Sequence, residues 1–295
     1  MGADYSTAGR LKLLPARLLA GCYLDLGRGV RDTTLVVSTG RSGSTWVGEL
    51  INHRNEYRVV FEPFRGDRVR KARPFRRGHY IDPRQQEHPL ASTIDSLLAG
   101  RVRSWWTDEQ NRRRLARRRI VKEIRLTNLL PWIRARHSEL RIIYAVRDPV
   151  VVAQSWLELG WGDDLDVLLA QDELMAEFAG LRASIAEIAR DGDIIERHVL
   201  RWCLENAIPL TREVPDVHRV VYEELRREPD REIRRLFAYL GEDASGALEA
   251  ARVPSATAGF PRVRAFVPTD EQRARAREIV ALFGLSELAP VADSG

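Results

Sequence analysis

Residues 33–46, TTLVVSTGRSGSTW, join three local patterns in one stretch. Leu35, Val36 and Val37 are a short apolar run of the kind that forms an inner strand of a parallel sheet. Residues 38–44 are small or flexible except for one cation, Arg41. Trp46, Val47, Leu50 and Ile51 then recur at helical spacing. A strand, a small-residue turn and a helix N-terminus direct several backbone N–H groups at one point. That point suits an anion, because unpaired donors and the helix dipole both favour negative charge there. Ordinary strand-to-helix turns use the same small residues, so the stretch needs a second, independent signal.

The turn departs from the usual ATP loop. G-x-x-x-x-G-K-[ST] needs a Lys for the β/γ-phosphates and a hydroxyl for Mg²⁺. Here Gly43 is followed by Ser44 and Thr45, and the cation stands earlier, at Arg41.

Residues 141–156, RIIYAVRDPVVVAQSW, repeat the strand-to-helix grammar. Arg147 falls at the carboxyl end of the apolar run, where open α/β sheets bind ligands. Pro149 suits the first turn of a helix. Ser155 lies about two helical turns beyond Arg147. A guanidinium fork and a hydroxyl can thus converge on one phosphate. The plainer alternative is a surface pair, Arg147 with Asp148, and Ser155 as helix filler.

Together the two segments resemble the sulfotransferases that use 3′-phosphoadenosine 5′-phosphosulfate (PAPS). The resemblance implies that Arg41, Ser42, Gly43, Ser44 and Thr45 hold the 5′-phosphosulfate. It implies that Arg147 and Ser155 hold the 3′-phosphate, and that Trp46 stacks on adenine. Residues 220–241, VVYEELRREPDREIRRLFAYLG, are similar to the family's strand, Tyr-Glu-x-Leu turn and following helix, which places Tyr222 near the adenine. The three motifs stand in family order over residues 33–241. The implied fold is α/β, P-loop-like and three-layered, with a mainly parallel sheet and helices on both faces. Residues 31–295 form the domain and residues 1–30 an N-terminal extension packed on it.

The catalytic roles follow from the same resemblance. Soluble small-molecule members often place a His base in a Lys-Thr-His sequence on the third strand. Here that strand, expected over residues 120–126, reads Lys122-Glu123-Ile124-Arg125, and the His is missing. A branch acting on carbohydrates or protein tyrosines uses a Glu shortly after the second strand, expected over residues 57–61. Phe61-Glu62-Pro63 matches it. Glu62 is therefore the expected base, a partly desolvated carboxylate with a raised pKa; the plainer alternative pairs it with Arg65. Lys122 resembles the family's catalytic lysine, and Arg41 and Lys122 would neutralise charge on the departing phosphate. Glu123 alternates to the opposite face of its strand and is a further base candidate. His79 and His88 sit in a long, weakly periodic segment, residues 65–89, and are secondary candidates because His titrates near neutrality. His53, His137, His198 and His218 read as structural.

Composition agrees with one soluble α/β domain: 295 residues, 44% hydrophobic and 30% charged. The net charge of +5 rests almost wholly on arginine, since Lys12, Lys71 and Lys122 are the only lysines. A basic chain suits a multiply anionic donor, and also suits nucleic acid, so charge alone discriminates little. Two cysteines, Cys22 and Cys203, make no disulfide framework or metal set, which fits a reducing, cytoplasmic setting. No apolar run is long enough to span a membrane. The Arg/Ala-rich composition has a bacterial look.

Arg112, Arg113, Arg114 and residues 117–119 form a basic run beside Trp105 and Trp106, read as a solvated helix face or, alternatively, a polyanion patch. Arg262 and Arg264 could close over the donor phosphate, although the family's glycine pattern is absent there. Residues 165–189 and 194–210 read as helices, as do residues 270–283 with Thr269 as cap. The expected reaction is metal-free transfer of a sulfuryl group to a hydroxyl of a carbohydrate or glycosylated small molecule, with no nucleic-acid partner. The rivals are a kinase with a degenerate loop and a non-catalytic polyanion binder.

Overall fold

The structure is a computed structural model and describes residues 24–111, 113, 115–212, 214–252 and 266–288. Its strands are β1 (Leu24–Asp25), β2 (Thr33–Ser38), β3 (Tyr57–Phe61), β4 (Leu115–Ala116), β5 (Arg118–Glu123), β6 (Arg141–Val146) and β7 (Val217–Val221). Five of them form one parallel sheet in the order β3-β5-β2-β6-β7. β1 and β4 pair as a separate two-residue parallel ladder. The central strand is the first apolar run of the sequence, and all six of its residues are buried.

Alternation along the strands separates two apolar layers. Leu35 and Val37 of β2 join Val121, Ile142 and Tyr144 in one core. Against it pack α2 (Ala91–Leu98), α4 (Leu130–Arg136), α5 (Pro149–Glu158), α9 (Ile194–Thr211) and α13 (Asp270–Leu282). Val36 faces the other way, with Ile120, Ile143 and Val220. That face is covered by α1 (Ser44–Ile51), α11 (Pro229–Leu240) and α12 (Ser245–Ala251). Period 2 in the strands thus feeds apolar side chains to helices on both faces, the expected α/β arrangement.

Several local expectations hold. Pro149 opens α5, whose N-cap Asp148 accepts from the N–H groups of Val150 and Val151. Thr269 caps α13 in a reciprocal box with Gln272. A feature not expected from the sequence is the left-handed Gly241 that ends α11.

Two expectations fail. The single helix expected over residues 165–189 is broken into α6 (Leu165–Leu169), α7 (Asp172–Glu177) and α8 (Arg182–Asp191), with a 3₁₀ turn, Ala179–Leu181, before α8. Gln171 leaves the helical path to donate to the Arg77 carbonyl at 3.0 Å. The basic run is not a helix face either. Arg119, the second residue of β5, is almost fully buried, with two nitrogens on Asp25 at 2.9 and 3.0 Å. Arg58, equally buried, pairs with Asp25 and with Asp108 at the end of α3 (Trp105–Asp108). These pairs lie at the amino ends of β3 and β5. Arg112 and Arg114 fall outside the described residues, as do Arg262, Arg264, Cys22 and most of the expected extension, residues 1–23. Cys203 is a buried free thiol. Among the described residues no helix is long and apolar enough to cross a membrane.

Candidate active site

All five strands of the main sheet deliver residues of interest at or just beyond their carboxyl ends. After β2 comes the turn of Thr39, Gly40, Arg41, Ser42 and Gly43, which leads into α1. Arg41 has φ +73 and Gly43 φ +86, so the turn folds back on itself before the helix starts. Hydroxyls tie it internally: Ser38 Oγ donates to Ser44 Oγ at 2.9 Å, and Thr39 and Ser42 share a bond of 2.8 Å. Trp156 of α5 donates to the Gly40 carbonyl at 3.0 Å, and the Trp161 ring packs over the Gly40 Cα. Thr45 and Trp46 lie in the first turn of α1, whose leading N–H groups are the unpaired donors of any helix start.

The second segment folds onto this turn. Arg41 Nε donates to Ser155 Oγ at 2.9 Å, and Arg147 donates to the Arg41 carbonyl at 3.1 Å. Arg147 lies over the Tyr222 ring, 4.2 Å from its centroid, and Tyr222 meets Trp46 edge to face. Arg147 is therefore no plain surface partner of Asp148, whose carboxylate caps α5 instead. Burial pulls the Arg147 guanidinium below its usual range, with Tyr222 and Glu223 opposing and Arg41 adding to the fall. Its Nε is buried without a hydrogen-bond partner among the described residues, and the Glu223 carboxylate stands 3.8 Å away. An under-satisfied guanidinium of this kind has an open demand for an anionic acceptor.

On the other flank of β2, β3 and β5 bring three charges together. Lys122 Nζ donates to Glu62 Oε1 at 2.9 Å, and Arg125 donates to Glu62 Oε2 at 3.1 Å. Glu62 is 6% and Lys122 7% exposed. Burial pushes the Glu62 carboxyl up, but Lys122 and Arg125 outweigh it and leave the group below its ordinary value. The expected raised pKa is thus reversed, because two cations, and not Arg65, contact the carboxylate; Arg65 pairs with Asp67. Lys122 also lies 4.7 Å from the Phe61 ring centroid.

Glu123 does alternate away from Lys122, and it is wholly buried. Burial, opposed by Arg125 and reinforced by Glu62, pushes its carboxyl up. Arg125 nevertheless reaches it at 3.1 Å, so the two faces of β5 are joined through one guanidinium. His79 packs edge to face on Phe75, and burial with the nearby His88 and Arg76 pulls it down to about 4. His88 turns its Nδ1 to the N–H of Leu90. His53, His137 and His198 bond to Leu50, to Asp95 and to Ile194 with Trp161, and His218 stacks on Tyr239.

Two contributors were not assigned a role from the sequence. Arg125 was quoted without one, and Trp106 was read only as part of a basic patch. Trp106 donates to the Glu62 carbonyl at 3.3 Å and carries Arg65 on its face at 4.7 Å. Only the position of Arg125 three residues after Lys122 hinted at the first. Nothing local pointed to the second.

Comparison with known proteins gives the family. A profile described as a sulfotransferase domain matches residues 31–255, well over half of the chain. The chain belongs to the sulfotransferase domain family. A search of curated proteins found no match. Among solved structures, a sulfotransferase from Alicyclobacillus acidocaldarius is 14% identical, with 88% of this chain and 95% of that one covered and a TM-score of 0.44. The sulfotransferase domain of the curacin biosynthetic pathway gives 14%, 88%, 98% and 0.44 in the same terms. STF9 from Mycobacterium avium gives 12%, 97%, 82% and 0.47. Family membership rests on the domain profile, and sulfuryl transfer is the activity it denotes. In this sulfotransferase the turn after β2, Arg147 and the Glu62–Lys122–Arg125 cluster lie at the carboxyl edge of the sheet, on both flanks of β2.

Proposed function

We propose that this sulfotransferase moves a sulfuryl group from PAPS to an acceptor hydroxyl. The observation that carries the reading is the joining of the two anion-binding segments, Arg41 to Ser155 and Arg147 to the Arg41 carbonyl. Residues more than a hundred positions apart thereby present two guanidiniums and several hydroxyls to one turn. In this reading Ser42, Gly43, Ser44 and Thr45 cradle the 5′ end of the donor. Arg147 and Ser155 take the 3′-phosphate, and Trp46 and Tyr222 border the adenine.

The chemistry divides between the two flanks. Glu62 accepts the proton of the acceptor hydroxyl as the new O–S bond forms. The S–O bond to the 5′-phosphate breaks, and adenosine 3′,5′-bisphosphate leaves with both electrons of that bond. Arg41, Lys122 and the turn N–H groups stabilise the charge that builds on the departing oxygen. Glu62 is already ionised at neutral pH, since its two cations hold it below the ordinary range. It can therefore take a proton without first losing one. The Glu62-Pro63 context favours a carbohydrate or glycosylated small molecule as acceptor, by resemblance to that branch.

Calorimetric titration with adenosine 3′,5′-bisphosphate, run beside ATP with Mg²⁺, tests the donor. Tight binding of the bisphosphate without binding of ATP is the expected result. A preference for ATP, or binding of neither, would overturn the reading.

A further inference from the structure

Glu62 is fixed by its backbone as well as by its ion pairs. It has φ +41, a left-handed conformation that a non-glycine residue seldom adopts. Its N–H donates to the Lys122 carbonyl at 2.8 Å, and its own carbonyl accepts from Trp106 at 3.3 Å. Two residues on, the Phe64 N–H donates to Glu123 Oε2 at 2.8 Å. The turn that aims Glu62 is therefore pinned to β5 on both sides, once through the backbone and once through a buried carboxylate.

Glu123 does a second thing. Its Oε1 accepts from the Ile124 N–H at 2.8 Å and from Arg125 at 3.1 Å. The same Arg125 nitrogen reaches Glu62 Oε2 at 3.1 Å. One guanidinium nitrogen thus spans two carboxylates, and the rear one is wholly buried and held by two backbone donors. The two cations on Glu62 differ in kind. Lys122 is a single point charge on a flexible stem, whereas Arg125 is a planar fork anchored from behind.

We propose that Glu123 and Arg125 are positioning residues for Glu62, Glu123 anchoring Arg125 and Arg125 holding Oε2 so that the carboxylate keeps its place beside Lys122, which holds Oε1. The inference rests on the reading of Glu62 as the base. Deleting the Arg125 charge leaves Glu62 buried with Lys122 alone, while Glu123 loses its facing cation. The other charges within reach are Glu109, which senses Glu62, and Arg77, which senses Arg125. Neither takes the place of a hydrogen bond to Oε2.

The test uses the full chain labelled with ¹³C at glutamate carboxyls, the Glu62 signal being assigned by its loss in Glu62→Gln. In Arg125→Met the Glu62 titration midpoint should rise by about one unit or more, with part of the rise reversed in Arg125→Lys. Glu123→Gln removes a like charge beside Glu62, which alone lowers the midpoint, so a rise in that variant reads the lost anchoring of Arg125. Adenosine 3′,5′-bisphosphate should bind all three within about twofold of the parent, which also shows that they are folded. Release of the bisphosphate from PAPS, with water as acceptor, should lose about tenfold or more in kcat for Arg125→Met at unchanged KM for PAPS. An unmoved Glu62 midpoint in Arg125→Met, or a fall in bisphosphate affinity matching the fall in kcat, would overturn the positioning role. Failure of the parent chain to bind the bisphosphate would instead overturn the donor reading, leaving the Glu62 midpoint to decide the positioning contact alone.

Discussion

The Tyr222 ring lies against the Cα of Gly43 and fills the space where any other residue at that position would carry its Cβ. Gly43 also has φ +86, so a side chain there meets both a strained backbone and an aromatic wall. The backbone part alone costs about 1–2 kcal/mol for an L-residue. Gly43→Ala should therefore weaken bisphosphate binding by more than about tenfold, since each ~1.4 kcal/mol is a factor of ten. Tyr222→Ala, which removes an adenine contact of the proposed site, should cost less in the Gly43→Ala background than in the parent, because the ring that blocks the methyl group is gone. A double-mutant cycle read by calorimetry checks this. Strict additivity of the two changes would mean that the ring and the turn do not press on one another.

In the proposed reading Arg147 bears on the 3′-phosphate and not on the nucleotide as a whole. Charged hydrogen bonds are worth about 1.5–3 kcal/mol. Arg147→Ala should thus cost about ten- to a hundredfold in affinity for adenosine 3′,5′-bisphosphate. AMP, which lacks the 3′-phosphate, should bind nearly as before. Equal losses for the two ligands would remove Arg147 from the 3′-site.

The pH dependence of stability follows from the charges on Glu62. Its pKa in the folded chain lies below the ordinary value of 4.5. A depressed carboxylate contributes stability that is present above its unfolded pKa and lost as pH falls through the folded one. The stability difference between the parent and Glu62→Gln should be constant from about pH 7 to 5 and shrink below about 4.5. Urea unfolding at a series of pH values measures it. A difference that widens in acid would contradict the ion-paired state of Glu62.

His79 has a linkage of the same sign in a higher pH window. Its folded pKa is drawn from 6.5 to about 4, so the unfolded chain binds a proton that the folded chain refuses. Stability should fall as pH drops from about 6.5 towards 4, and His79→Gln should flatten that slope. The same variant should leave the pH profile of turnover unchanged if Glu62 is the base. A lost acid limb in His79→Gln would move the base role to the histidine.

The parts of the site that were readable from the sequence are those whose meaning is local. Residues 33–46 carry strand, turn and helix start within one window, and Arg147, Pro149 and Ser155 do the same. Sheet, capping and the two strand-to-helix turns followed from period and turn chemistry. The missed features depend on partners far along the chain. An arginine-rich sequence does not say which guanidiniums meet carboxylates, so Arg119 read as surface although Asp25 holds it in the interior. Arg125 likewise needed the distant Glu62 to acquire a role. The apolar period over residues 165–189 has no strong breaker apart from Gly180, yet Gln171 leaves the helix for the Arg77 carbonyl. Even Glu62 was found with the wrong sign of pKa shift, because its cations arrive from another strand.

The strand order β3-β5-β2-β6-β7 has an evolutionary consequence. In the proposed reading Glu62 and the groups that hold it hang from β3 and β5, and the 3′-phosphate contacts Arg147 and Ser155, with Tyr222, follow β6 and β7. β2 is the hinge of the division and contributes the turn that both halves share. On that reading, changes in the segments after β3 and β5 redirect the enzyme to new hydroxyls while the nucleotide contacts stay as they are. A lineage with this layout can diversify its acceptors without rebuilding its energy source, and exchanging those two segments between relatives is the corresponding engineering route.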